Sequence, residues 1–369
     1  MRPARATGLL AVAFGLAAAL FDTEPLWVPA ATLALIAAGS AAWVGLGARG
    51  VRITRTLGAR RVTEDEPVTI VLDVSAGRLG LPPSKVCDPL LPAPVALRAG
   101  TRGGRVLMEA RFARRGRRVL VLPRVLVGDP LGLATRDVGA RAAEGDDEIL
   151  VLPRIEPVVA VPGGGEATRI ARRGRLAVGA EIELDGIRPL RDGTPASRIF
   201  WPAVARGADA QERFLTTASE SRPLIVLDPR GGTSEEALDA TVRAAASLAR
   251  SLALAGGCSV LLPGDRRPTD LGETLAGWSH LHARLAVVGP ATAPSLASVA
   301  QRRGPVVYVS AQMRARLPQA LGPAHGALRV LVVPGGLASR HASFTVARCN
   351  GYVLTGAPGR VGRGAQRSP

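Results

Sequence analysis

The densest group of side chains able to do chemistry lies in DGIRPLRDGTPASRIFWPAVARG, residues 185–207. Arg188, Arg198 and Arg206 are spaced to converge if this segment turns into a short helix, with Trp201 among them. A guanidinium presents a rigid fork of donors that fits a carboxylate, so Asp185, Asp192 or a partner's acidic groups are natural counterparts. The Trp201 ring would pack while its N–H reaches an acceptor. Two readings stand open: an internal salt-bridge and packing cluster, or a surface that docks a partner.

No other set of residues has catalytic spacing. His280 and His282 are two apart on a helix-like segment and so point to different faces. His325 and His341 lie in loop-like stretches without neighbouring acids. Cys87, Cys258 and Cys349 are isolated and odd in number; none forms a C-x-x-C pair, which argues against a zinc site or a disulfide framework. They read as core thiols of a reducing compartment. The triple glycine at 163–165 lacks the Gly-Lys-Ser/Thr of a phosphate loop. With no nucleophile, base and orienter in view, the expectation is a protein that is not an enzyme.

The 369 residues carry a net charge of +17, yet nucleic acid is not the expected partner. Lys85 is the only lysine, the arginines spread from Arg2 to Arg367, and aromatics make up 3% of the chain, too few for base stacking. Attraction to anionic lipid fits better, because several arginines follow directly on the apolar N-terminal segments.

Those segments are TGLLAVAFGLAAALF (7–21) and LWVPAATLALIAAGSAAWVGL (26–46), both uncharged and separated by DTEP. The second covers ~30 Å at ~1.5 Å per residue, one hydrocarbon core. The first, at ~22 Å, needs tilt or help from its partner. Small residues such as Gly15, Ala18, Ala38 and Gly39 allow close backbone approach, and Trp27 and Trp43 sit where an aromatic belt is expected. Arg2 and Arg5 before the hairpin and Arg49, Arg52 and Arg55 after it place both termini in the cytoplasm, in a multi-pass cell-membrane protein. A cleaved leader over 1–21 is the competing reading and would put that arginine cluster outside.

The predicted organisation is a transmembrane helical hairpin (1–49), a β-sandwich-like domain (50–157), a linker with the Arg/Trp motif (158–207), an α/β domain (208–356) and a disordered tail (357–369). Runs such as PVTIVLDV, GRVLMEARFA and DEILVLPR have the period of strands with one wet face. From Arg222 strands and helices alternate. SRPLIVLD, CSVLLPGD, LAVVG, GPVVYVSA and ALRVLVVPG are the strands. SEEALDATVRAAASLARSLALAGG, LGETLAGWSHLHAR, APSLASVAQRR and AQMRARLPQALG are the helices, the first starting at an N-cap, Ser234, and stopping at Gly256. Such alternation predicts a doubly wound, mostly parallel sheet.

The 185–207 segment resembles the signature of the domain-of-unknown-function family 58 of bacterial membrane-anchored proteins. Ile187-Arg188, Gly193, Arg198 with Ile199, Trp201 and Ala205-Arg206 match its pattern; Leu190 and Thr194 depart from it. DPLGL (129–133) and ILVLPR (149–154) resemble further family segments. The resemblance implies a von Willebrand factor type A-like C-terminal domain, and partners among MoxR-type AAA+ ATPases and transglutaminase-like membrane proteins. In type A domains the first strand ends in Asp-x-Ser-x-Ser, which holds a divalent cation. Here Asp228 is in place, but Arg230 and Gly232 replace both serines, so a Mg²⁺ site would be degenerate. The expected function is a non-enzymatic membrane-anchored adaptor. The alternatives are a metal-dependent ligand-binding module acting through Asp228, or an enzyme of unknown reaction.

Overall fold

The computed structural model describes residues 2–77, 80–140, 148–161, 183–189, 199, 201–207, 209, 211–216, 222–297, 299, 304–321 and 328–354. The chain divides into two compact units. One comprises Met1–Ala113 with Arg117–Val151, the other Arg114–Gly116 with Leu152–Pro369.

The first unit opens with two apolar helices, α1 (Arg2–Leu20) and α2 (Trp27–Gly47), joined by a single 3-10 turn at Glu24–Leu26. The helices pack on each other through their small residues, with Ala18 almost wholly covered. Leu9, Leu16, Trp27, Val28, Leu35 and Trp43 remain exposed around them. Among the described residues one helical run, Glu24–Gly47, is long and apolar enough to cross a membrane; Ala4–Leu20 is shorter.

Ten strands follow: β1 (Arg52–Leu57), β2 (Arg61–Thr63), β3 (Pro67–Ser75), β4 (Ser84–Cys87), β5 (Val95–Leu97), β6 (Gly103–Arg111), β7 (Gly116–Val119), β8 (Arg124–Gly128), β9 (Thr135–Gly139) and β10 (Glu148–Leu152). They form three small sheets, β1-β3-β6, β2-β10-β7 and β5-β4-β8-β9. The period-two pattern does the work: Val68, Ile70, Leu72 and Val74 of β3 point inward while their neighbours stay wet. Together with Val86, Val125, Val127, Ile149 and Val151 they make one core, which also takes in Val44 and Ala48 at the end of α2. A buried ion pair, Arg55 with Asp88 at 3.3 Å, sits beside this core.

In the second unit β12 (Glu183–Pro189) and β13 (Gln211–Thr216) pair as an antiparallel hairpin, with Arg188 opposite Glu212 and a bulge between Leu184 and Gly186. A larger sheet has the order β11-β19-β20-β18-β17-β14-β15-β16. Its strands are β11 (Val159–Ala160), β14 (Leu224–Asp228), β15 (Cys258–Leu261), β16 (Thr269–Leu271), β17 (Val306–Ser310), β18 (Arg329–Pro334), β19 (Phe344–Val346) and β20 (Cys349–Val353). β15, β14, β17 and β18 run parallel and are buried on both faces; the flanking strands are antiparallel. β11 lies in the stretch expected as a linker and joins this sheet, and the second unit takes in the chain from Leu152.

Between the 183–189 and 211–216 strands lies a one-turn helix, α3 (Trp201–Val204); two longer helices, α4 (Glu235–Gly256) and α5 (Trp278–Ala286), complete the described set. α4 starts where expected: Ser234 Oγ accepts from the Ala237 N–H at 3.1 Å, and the helix ends at Gly256 before Gly257 with φ +89°. Its alanine-rich face packs with α5 on Ile225, Leu227, Val307, Val309, Val330 and Val332. The opposite face of the sheet, with Leu224, Val226, Tyr308, Leu331 and Tyr352, packs against Val299 and Leu321.

Three expected elements differ. LAVVG is not a strand: Leu281 and Leu285, four apart, are both buried and belong to one face of α5. The last carbonyls of that helix, on Leu285 and Ala286, accept from Arg115 Nη1 at 3.0 and 2.9 Å. The described residues of APSLASVAQRR are not helical, and AQMRARLPQALG forms only a 3-10 turn at Gln319–Leu321. Pro318 stands in the interior of the second of these segments, where the ring removes a helix hydrogen bond.

Candidate functional site

Asp228 ends β14 at the carboxyl edge of the parallel sheet. From β14 the chain passes through α4 to β15 on one side and later returns to β17 on the other. The crevice between the carboxyl ends of β14 and β17 is therefore a point where the winding reverses, the usual place for a ligand in such sheets.

The Asp228 carboxylate is 2% exposed and fully engaged. Oδ1 accepts from Arg230 Nε at 2.9 Å and from the Arg230 backbone N–H at 3.2 Å. Oδ2 accepts from Arg230 Nη2 at 3.1 Å and from the Tyr308 hydroxyl. Burial pushes the carboxyl up, but the Arg230 fork and the Tyr308 hydroxyl outweigh it and hold Asp228 below the usual carboxylate range. Burial and the adjacent Asp228 charge push the Tyr308 phenol well above its ordinary value, so it donates and does not ionise. Asp228 in turn raises Arg230. Arg314 stands over the Tyr308 ring at 5.8 Å and donates Nη2 to Gln312 Oε1 at 2.7 Å.

Chemically, the carboxylate already has a cation. The guanidinium of Arg230 satisfies it in the two-pronged geometry that a divalent ion would have to displace. Among the described residues no group of three or more His, Cys, Asp or Glu side chains could hold a metal. What the cluster presents outward is the half-exposed Arg230 side chain, with Arg314 beside it.

The Arg/Trp motif is described only in part. Gly193 and Arg198 lie outside the described residues, and Arg188 is placed on β12 by its backbone. Trp201 opens α3 and is 58% exposed, and Val204 one turn on is exposed as well, as is Arg206.

The remaining candidates are structural. His282 is buried, stacks on Trp278 at 4.8 Å between ring centroids and places Nε2 2.7 Å from the Pro153 carbonyl oxygen; His280 is exposed. The three cysteines are free, and burial pushes the Cys258 and Cys349 thiols up to about 12, which makes both inert. Sequence reasoning missed the Arg114–Asp239–Arg115 cluster. Asp239 is buried within α4, accepts from Arg114 Nε at 2.9 Å and lies 3.0 Å from Arg115 Nε, while Arg114 also pairs with Glu235. Comparison with family models and with curated proteins finds no match for this chain.

Proposed function

We propose that this chain is a non-enzymatic, membrane-anchored adaptor whose cytoplasmic units present a docking surface to a protein partner. The exposed Trp201, next to Val204 and Arg206, carries the reading. A tryptophan ring left in water beside an apolar residue and a guanidinium has the composition of an interface hot spot. The saturated Asp228 supports it from the other side, because a carboxylate with every acceptor position filled is neither a general base nor an open metal ligand.

On this reading α1 and α2 both enter the membrane, with DTEP outside and both termini cytoplasmic, as the placement of Arg5, Arg49 and Arg52 favours. The second unit is read as von Willebrand factor type A-like, on the parallel order of β15, β14, β17 and β18 and the position of Asp228. The family resemblance points to a MoxR-type AAA+ ATPase as the partner, with a transglutaminase-like membrane protein as a further one.

The full chain in detergent, mixed with a purified MoxR-type ATPase at moderate salt, tests the docking surface. Trp201→Ala/Arg206→Ala is expected to weaken retention by about tenfold or more, the size of a hot-spot loss. Equal retention by a variant that still folds would end the docking reading.

A further inference from the structure

We infer that the turn at Asp129–Leu133 is a membrane-interface anchor that places Pro130 and Leu131 at the boundary between lipid headgroups and acyl chains. The inference rests on α1 and α2 entering the membrane, and it adds a third contact made by the β-rich part of the same unit.

The turn is held against both helices inside their ends. Ser40, in the uncharged length of α2, donates its hydroxyl to Asp129 Oδ2 at 3.0 Å. The Leu133 carbonyl accepts from the Ala4 N–H at 2.9 Å, an amide of the first turn of α1 that has no partner within its own helix. Ser40 precedes the end of α2 at Gly47 by seven residues, ~10 Å along the axis. Pro130 and Leu131 thus line one groove with Leu35, Ile36, Gly39 and Trp43.

The chemistry of the turn suits lipid on one side and protein on the other. Asp129 is buried and turned inward: Oδ1 accepts from the Ala134 N–H at 2.6 Å, and Oδ2 from the Leu131 N–H at 3.1 Å as well as from Ser40. Its carboxylate oxygens and the Leu131, Gly132 and Ala134 amides are thereby hydrogen-bonded without water, as backbone near a bilayer requires. The residues facing outward are Pro130, Leu131 and Gly132, none of them polar in the side chain, and Leu131 is 66% exposed. Leu35 and Trp43, also exposed on α2, extend the same apolar surface, and a tryptophan belongs at the headgroup level. An exposed leucine continuous with a helix surface that faces acyl chains has one matching partner, the bilayer interface itself.

The test uses the full chain reconstituted into vesicles of phosphatidylcholine and phosphatidylglycerol. In a Cys87→Ser background, with Cys258 and Cys349 buried, Leu131→Cys and Leu35→Cys are each labelled with bimane. Quenching is then read with lipids brominated near the head of the acyl chain and with aqueous iodide. The expected result is severalfold stronger quenching by shallow bromines than by iodide at position 131, alongside bromine quenching at position 35. Bromine quenching at 35 with iodide quenching at 131 overturns the anchor and leaves the membrane hairpin standing. Iodide quenching at both positions overturns the hairpin reading and the anchor with it.

Discussion

The guanidinium of Arg230 forks onto Asp228, two residues earlier in the chain, through Nε at 2.9 Å and Nη2 at 3.1 Å. A cation donated by the chain itself therefore occupies the carboxylate at the point where the sheet reverses its winding. Mg²⁺ is expected to leave the melting temperature of the wild type unchanged. Cation-dependent stabilisation that disappears in Asp228→Ala would instead favour the metal-dependent reading.

Removing the fork should reverse a pH dependence. In the wild type the folded Asp228 pKa is depressed, so its contribution is present above the unfolded value of about 3.9 and is lost as pH falls through the folded pKa. In Arg230→Ala burial is opposed only by Tyr308 and the backbone N–H of residue 230, and the folded carboxyl is expected to rise above the unfolded value. That variant then loses stability as pH increases. The gap between wild type and variant in denaturant unfolding is expected to widen from pH 3 to pH 7, reaching about 1–3 kcal/mol. A gap independent of pH would show that the fork does not set the charge state of Asp228.

The pair Arg55–Asp88 is buried on both sides, with side chains 2% and 0% exposed. Arg55 also donates to the carbonyls of Val121 and Leu120, and Asp88 Oδ1 accepts from the Leu90 N–H at 2.8 Å. Arg55→Met strands a buried carboxylate and should cost about 3–5 kcal/mol. Arg55→Met/Asp88→Leu removes both charges and should recover a measurable part of that loss, which a double-mutant cycle in urea would read.

Gly351 of β20 lies under the ring of Phe344 on β19, its partner in the ladder. A Cβ built there would stand 2.2 Å from Phe344 Cζ, and Phe344 is buried with nowhere to move. Gly351→Ala is expected to destabilise the second unit by about 1–3 kcal/mol, the cost of overpacking, measurable by thermal unfolding.

Much of this architecture was legible because it rests on local period. The alternation in PVTIVLDV gave β3, and Ser234 with Gly256 bounded α4 to the residue. The apolar helix pair was legible from two uncharged runs around DTEP. Illegible were features made by residues distant in sequence. LAVVG has strand composition, yet its first two residues close α5, and the Arg115 guanidinium that donates to their carbonyls lies 170 residues before Leu285. The Asp228 end of β14 was legible as a position; that Tyr308, eighty residues later, closes the carboxylate was not. Nor does sequence place Asp129 beside Ser40, since DPLGL reads as an ordinary turn until α2 is set against it.

That last contact makes a separate prediction about the turn itself. Asp129 accepts from the Leu131 and Ala134 amides and from the Ser40 hydroxyl, so each change removes a defined part of the set. Ser40→Ala deletes one donor and leaves both backbone bonds; about 1 kcal/mol is expected, the net worth of one hydrogen bond. Asp129→Asn replaces one acceptor oxygen by an NH₂ that cannot accept, which leaves a buried donor without its partner and should cost about 1–3 kcal/mol. Hydrogen exchange on the full chain separates the two: protection at the Leu131 and Ala134 amides should persist in Ser40→Ala and fall in Asp129→Asn. Loss of protection in both would mean that α2, and not the carboxylate, shapes the turn.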